Sequence, residues 1–322
     1  MMKLLIVVAM CLAPLTGLCA EEAKALPAPL SGAKALSGKR VMVLGDSNTQ
    51  DGRYVSYVEY YLQKQNPTLD FDIIKAGLAS ETTSGLTEEG HPGPRPCIHD
   101  RLELALADVK PQLVIACYGM NDGIYKPLND ERLKAFQNGV TQLVEKCQAA
   151  GAEFILVTPP AYDVTCEGGT TAKGFDYNTV LGAYAEWEVK TRPAGASVIN
   201  IHTLMSQQVA PCREAKHPLH NMGDGVHPAE MGHFVMAKAI MSGLQMPLPD
   251  GDLAKQLAEA QADPLYQKVR DRQAARGQGW LNYIGFTRVN QTTKPHENDI
   301  QAVEAQAAEQ LKEISKLRRS GP

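Results

Sequence analysis

Arg40-Val41-Met42-Val43-Leu44-Gly45-Asp46-Ser47-Asn48-Thr49 is the stretch that decides the fold. Four consecutive apolar residues end abruptly in Gly-Asp-Ser. An apolar run without polar alternation marks a strand buried on both faces, as in a parallel sheet sandwiched between helices. Residues 54–65 read as the helix that follows it. Working outward, Phe71-Asp72-Ile73-Ile74-Lys75, Leu113 to Cys117, Phe154 to Val157 and Ser197 to Ile199 repeat the pattern, giving five short strands. Helical stretches occupy 130–149, 176–190 and 229–242. The expected fold class is α/β: three layers, with a mostly parallel five-stranded sheet between helices. In such folds the reactive groups sit on loops at the C-terminal strand ends. Each polar cluster considered below follows one of these strands.

The flanks read differently. Met1-Met2-Lys3, the apolar run Leu4 to Leu18 and Cys19-Ala20 before Glu21-Glu22 form a secretory signal pattern over 1–20. Leu18 is larger than usual for its place before a cut after Ala20, and it also fits poorly before a lipid-bearing Cys19. A periplasmic or secreted location is therefore expected in preference to a lipoprotein, with no stable transmembrane insertion after cleavage. Residues 21–38 are expected to be a flexible leader, and the ordered domain to span 39–245. Residues 246–322 are expected to be a mainly helical extension, with a break at Pro264, an irregular aromatic stretch at 279–286 and an amphipathic helix over 299–317. The extension is expected to pack on the domain; in the alternative it covers a cleft, with Trp280 or Tyr283 as wall residues.

With 21% charged residues and a formal net charge of -4, the chain of 322 residues has no basic excess suited to nucleic acid. Its seven cysteines include no Cys-x-x-Cys pair, and no His-Glu-x-x-His motif is present, so neither structural zinc nor a catalytic metal is expected. Cys117 and Cys147 read as core residues. Cys97, Cys166 and Cys212 are open candidates for a disulfide. Gly45-Asp46-Ser47 lacks a dinucleotide or phosphate-loop glycine pattern, and no cofactor is expected.

Ser47 follows the first strand, where helix-end N–H groups can face an oxyanion. Asp224-Gly225-Val226-His227-Pro228 precedes the last domain helix and supplies what a serine nucleophile needs. His227 can take the proton, and Asp224 can fix the imidazole tautomer. Gly225 permits an unusual backbone turn, and Pro228 suits the first helical position. The Gly77 N–H, after the second strand, and the Asn121 amide, after the third, can complete an oxyanion hole with the Ser47 N–H. Asp122 is expected to order its loop and not to move a proton.

These blocks resemble those of the SGNH, or GDSL-like, hydrolase family, over residues 39–242. Gly45-Asp46-Ser47 resembles the nucleophile block, Ala76-Gly77 the glycine block, Gly119-Met120-Asn121-Asp122 the Gly-x-Asn-Asp block, and Asp224 to Pro228 the terminal block. The resemblance implies a flavodoxin-like three-layer α/β/α fold and cofactor-free hydrolysis of esters or thioesters. It assigns the nucleophile to Ser47, the acid-base pair to His227 and Asp224, and oxyanion donation to Gly77 and Asn121. Asn48 departs from the family, where leucine is common, and the tail beyond 245 has no counterpart. Export favours an O-acetylated carbohydrate as substrate, with the polar loop Glu88 to Asp100 as a candidate sugar wall. Lysophospholipase, lipase or thioesterase action on longer acyl chains is the alternative. A non-catalytic carbohydrate or cell-envelope binding protein is the reading from a different class.

Overall fold

The computed structural model describes residues 28–166, 174–221 and 223–319. The expected signal segment lies outside the described residues. Strands β1 (Arg40–Gly45), β2 (Asp72–Lys75), β3 (Leu113–Cys117), β4 (Glu153–Val157) and β5 (Ser197–Ile199) form one sheet in the order β2-β1-β3-β4-β5. Every pairing is parallel, with Val41 opposite both Ile73 and Leu113, and Gly45 opposite Cys117. The sheet expected to be mostly parallel is wholly so.

Strand periodicity explains the unbroken apolar runs. Val41, Val43, Ile115 and Val157 face one core, while Met42, Leu44, Val114 and Leu156 face the other. The first core is closed by α2 (Arg53–Gln65), α6 (His202–Glu214) and α7 (Glu230–Gly243). The second is closed by α3 (Leu102–Val109), α4 (Asp130–Ala149) and α5 (Asn178–Thr191). Chain direction across the sheet reverses between β1 and β3, and this switch point opens a crevice above their carboxyl ends. The five-residue helix α1 (Ser47–Asp51) stands there.

Two flank expectations are corrected, and one open question about the cysteines is answered. Residues 28–38 lie against the domain and do not form a free leader: Leu36 is fully buried, and the Gly32 N–H donates to Leu244 O at 2.6 Å. Cys97, Cys117, Cys147, Cys166 and Cys212 are all free thiols, so the disulfide considered among them is not formed. The aromatic stretch at 279–286 is mostly helical, because α9 (Pro264–Ile284) runs through Trp280 and Tyr283 and ends at Gly285. Pro264 begins that helix, separating it from α8 (Leu253–Ala262).

The extension continues through the hairpin β6 (Phe286–Arg288) and β7 (Gln291–Thr293) into α10 (Ile300–Arg319). It covers the free edge of β2. Gln273 Nε2 donates to Ile73 O at 2.9 Å, answering an edge carbonyl that no sixth strand reaches. Around this contact α9 buries charge. Arg272 pairs with the fully buried Glu59 at 3.1 Å. Arg276 pairs with Asp72 at 2.6 Å and with Glu304 of α10 at 2.8 Å. Trp280 is buried, and its indole N–H donates to Glu304.

Candidate active site

Ser47 opens α1, so its own N–H has no acceptor within the helix. Asp46 caps the helix: its buried Oδ1 accepts the Asn48 N–H at 2.9 Å. Burial pushes the Asp46 carboxyl up to about 6, against the lowering pull of the Asn48 N–H and of His227. Gly45 is required sterically, because a Cβ there would lie 2.1 Å from Thr49 Oγ1 and 2.7 Å from Cys117 O. The strand thus turns sharply into the helix and lifts Ser47 above the sheet edge.

The loop before α7 delivers the partner groups. His227 Nε2 lies 3.0 Å from Ser47 Oγ, and His227 Nδ1 lies 2.7 Å from Asp224 Oδ2. The other Asp224 oxygen accepts the Val226 N–H at 2.8 Å and the His227 N–H at 2.9 Å. Burial alone would raise the Asp224 carboxyl, but these amides and the imidazole outweigh it and hold it below the usual carboxylate range. Gly225 has φ +66°, and a Cβ there would meet Asp163 O at 2.3 Å, so the turn that joins Asp224 to His227 demands glycine. Pro228 sits outside α7, ahead of the N-cap residue Ala229, instead of in its first turn.

The three residues line an open cleft of about 510 Å³. Asn121 joins them there, 4% exposed. Its Oδ1 accepts from Arg95 Nη1 and from the Tyr125 hydroxyl, both at 3.0 Å, and its Nδ2 donates to Glu81 O at 3.1 Å. Because guanidinium can only donate, the amide orientation is set, leaving one Nδ2 hydrogen uncommitted. Asp122 is fully buried and accepts from Thr83 N (2.8 Å), Thr83 Oγ1 (2.9 Å), Ser84 N (2.8 Å) and Gly119 N (3.1 Å). It ties the loop after β3 to the loop after β2.

Gly77 is not brought to the cleft. It is buried beneath α1, where a Cβ would lie 2.4 Å from Gln50 N. Three residues on, Ser80 lines the cleft instead, in the left-handed backbone region at φ +68°. The Ser80 carbonyl accepts from Arg95 Nη1 at 3.3 Å, and Gln50 Oε1 accepts the preceding Ala79 N–H at 2.6 Å. The Ser80 N–H has no partner among the described residues. Such a backbone is uncommon for serine and marks a place where structure overrides local preference. Sequence reasoning missed Ser80 because a glycine stood nearby and serine carries no signal for positive φ.

Arg95 belongs to the Glu88 to Asp100 loop expected as a candidate sugar wall, and it does line the cleft, but its hold on Asn121 was not foreseen. Its guanidinium is almost fully buried, grips both Glu88 oxygens, bonds Asn121 and Ser80, and lies 5.5 Å from the Tyr125 ring centroid. Below it, Glu81 is fully buried between Arg101 and the Tyr118 hydroxyl. Trp280 and Tyr283 do not reach the cleft, since their side chains turn to Glu304 and to His296. The extension contributes Arg288 to the lining instead. Among the described residues, no three His, Cys, Asp or Glu side chains converge as metal ligands.

Comparison with solved structures places this architecture. The gut microbial diltiazem-metabolizing enzyme BT4096 is 19% identical, with a TM-score of 0.53 over 65% of this chain and 47% of that one, so the chain spans about half its length. A catalytic mutant of Axe2, an acetylxylan esterase from Geobacillus stearothermophilus, is 20% identical, with a TM-score of 0.51 over 67% of this chain and 98% of that one. A further Axe2 mutant, described as an acetyl-xylooligosaccharide esterase, gives the same identity, TM-score and coverage. At these identities the likeness is one of fold. No curated protein matches the chain. The GDSL-like lipase/acylhydrolase family model matches residues 43–234, which contain the second half of β1, all of β2 to β5 and the Ser47, Asp224 and His227 blocks. The chain belongs to the GDSL-like lipase/acylhydrolase family, a family of SGNH-type ester hydrolases.

Proposed function

We propose that this protein is a serine esterase that removes small acyl groups, above all acetyl, from carbohydrate. The observation that carries the reading is the unbroken chain Asp224–His227–Ser47, at 2.7 and 3.0 Å, opening into a polar cleft. Ser47 Oγ attacks the ester carbonyl carbon as His227 Nε2 takes its proton. Asp224 holds the imidazole and offsets its positive charge. The oxyanion is received by the Ser47 N–H, the Ser80 N–H and the free Nδ2 hydrogen of Asn121. Collapse breaks the carbon–oxygen bond to the alcohol, which leaves with the proton from His227. Water then gives a proton to His227 and attacks the acyl-enzyme, releasing the acid and restoring Ser47.

The lining supports a short acyl group. Its apolar members, Ala79, Pro92, Ile124 and Val226, are scattered among Glu88, His91, Arg95 and Lys126 and form no apolar channel for a long chain. The fold shared with Axe2, an acetylxylan and acetyl-xylooligosaccharide esterase, adds weight to a sugar ester. The signal pattern over residues 1–20 supports action outside the cytoplasm, as a periplasmic or secreted protein. The test is a nitrophenyl ester series from acetyl to long acyl chains. The expected result is fastest cleavage of acetyl, falling steeply with length. Peak activity on long chains would replace this reading with lipase or thioesterase chemistry. Absence of cleavage throughout would favour the binding-protein reading.

A further inference from the structure

The cleft lining holds three cations, Arg95, Lys126 and Arg288, and three carboxylates, Glu88, Glu89 and Asp224, but they do not all pair with one another. Glu88 is committed to Arg95 through both oxygens, and Asp224 to His227. Lys126 and Arg288 also line the cleft, and neither side chain has a carboxylate partner or hydrogen-bond acceptor among the described residues. Glu89 is the unpaired carboxylate of the lining, and His91 Nδ1 is bonded to Gly93 O at 2.6 Å. Two free cations thus flank the site of attack against one free carboxylate.

Arg288 is not a chance surface residue on a loose tail. Two positions before it, Phe286 is buried in a small cluster with Leu78 and Leu281. Leu78 stands two residues before Ser80. At the hairpin tip, Val289 meets the cleft loop closely enough that a Cβ on Gly93 would lie 2.9 Å from its Cγ2. The β6–β7 pairing, Phe286 opposite Thr293 and Arg288 opposite Gln291, braces the strand between these anchors. Arg288 is therefore held at the wall that also carries Ser80 and Arg95. Lys126 extends from the loop after β3, five residues beyond Asn121.

We propose that the cleft selects an anionic glycan, with Arg288 and Lys126 receiving the carboxylate of a uronic acid residue beside the acetylated sugar. This rests on the esterase reading for the reaction, though not for the binding. A planar guanidinium matches a carboxylate in a paired geometry, and an ammonium adds a second charge without fixing direction. Both groups are partly solvated, so each contributes modestly and is weakened by salt. The C-terminal extension thereby acquires a role: it adds an unpaired cation to the wall that the catalytic domain builds from Ser80, Arg95 and Asn121.

The test separates binding from turnover. Calorimetry with the Ser47→Ala protein compares an unacetylated oligogalacturonate with a neutral xylo-oligosaccharide of equal length. The acidic ligand is expected to bind about tenfold more tightly at low ionic strength, an advantage that Arg288→Ala and Lys126→Ala each reduce by about threefold and that high salt removes. With the Ser47 enzyme, the ratio of kcat/KM on acetylated polygalacturonate to that on acetylated neutral xylan is expected to fall in the same two variants, through KM. Equal binding of the two ligands, or an acidic preference untouched by both substitutions, would overturn the proposal. Nitrophenyl acetate distinguishes the two layers: if Ser47 supports no cleavage of it while oligogalacturonate still binds through Arg288, the esterase reading fails and the anion site stands.

Discussion

The two walls of the cleft are built by different means. The Ser47–His227 wall needs two short segments, a strand-to-helix turn and one loop, and its hydrogen bonds run among neighbours in sequence or directly across the crevice. The Asn121–Ser80 wall is assembled from the loops after β2 and β3, the Glu88–Arg95 loop and a hairpin from the end of the chain. Asn121 and Arg95 are buried there and depend on each other for their hydrogen bonds. Compact motifs can carry reacting groups, whereas the groups proposed to receive an oxyanion and a sugar are brought together from distant parts of the chain.

The largest effect expected from this contrast is on the scaffold of the second wall. Arg272→Met leaves the fully buried Glu59 without its ion-pair partner and is expected to cost about 3–5 kcal/mol, read by denaturant unfolding. A loss near zero would make the extension an appendage and not a supporting element. Next, Asn121→Ala removes one proposed oxyanion donor and is expected to lower kcat by roughly 100- to 1,000-fold with little change in KM on nitrophenyl acetate. An effect confined to KM would put Asn121 in ground-state binding instead.

On the first wall, Asp46 provides a pH test. Its carboxyl titrates at about 6 in the fold against 3.8 when free, so the native state holds the proton longer. Its contribution is fully present below about pH 4 and is lost as pH rises through 6. Asp46→Asn keeps a cap acceptor without the ionisation. Its stability relative to the parent is expected to improve on the order of 2–3 kcal/mol between pH 4 and 7. A constant difference across that range would contradict the assignment. The smallest effect concerns Asn48, 2% exposed and with neither amide atom bonded. Asn48→Leu is expected to stabilise the protein by about 1 kcal/mol in thermal unfolding, because a buried unsatisfied amide is replaced by hydrocarbon.

The same contrast explains what was legible in the sequence. The strands showed themselves because burial on both faces demands continuous apolar residues, and the Ser47, Asp224 and His227 blocks showed themselves because each is short and contiguous. Asn121 was legible from its place after β3, but not the Arg95 and Tyr125 bonds that set its amide. Gly77 drew attention as a glycine, although its want of a side chain serves the close approach of α1 and not the cleft. Ser80 stayed hidden because its φ is imposed from outside. Part of the weight of α9 was hidden too: among the residues it turns inward are Arg272, Gln273 and Arg276, whose carboxylate partners and the Ile73 carbonyl lie more than 28 positions away in every case but Glu304. A periodicity of apolar residues cannot reveal a face buried through ion pairs.

The central claim is that Ser47 is the nucleophile, activated by His227. Intact-mass and peptide mass spectrometry after treatment with an acyl-mimicking nitrophenyl phosphonate tests it most directly. The account predicts a single phosphonyl adduct on Ser47, formed rapidly by the parent protein and slowed by orders of magnitude in His227→Ala. Labelling at another residue, or labelling of Ser47 at the same rate without His227, would contradict it.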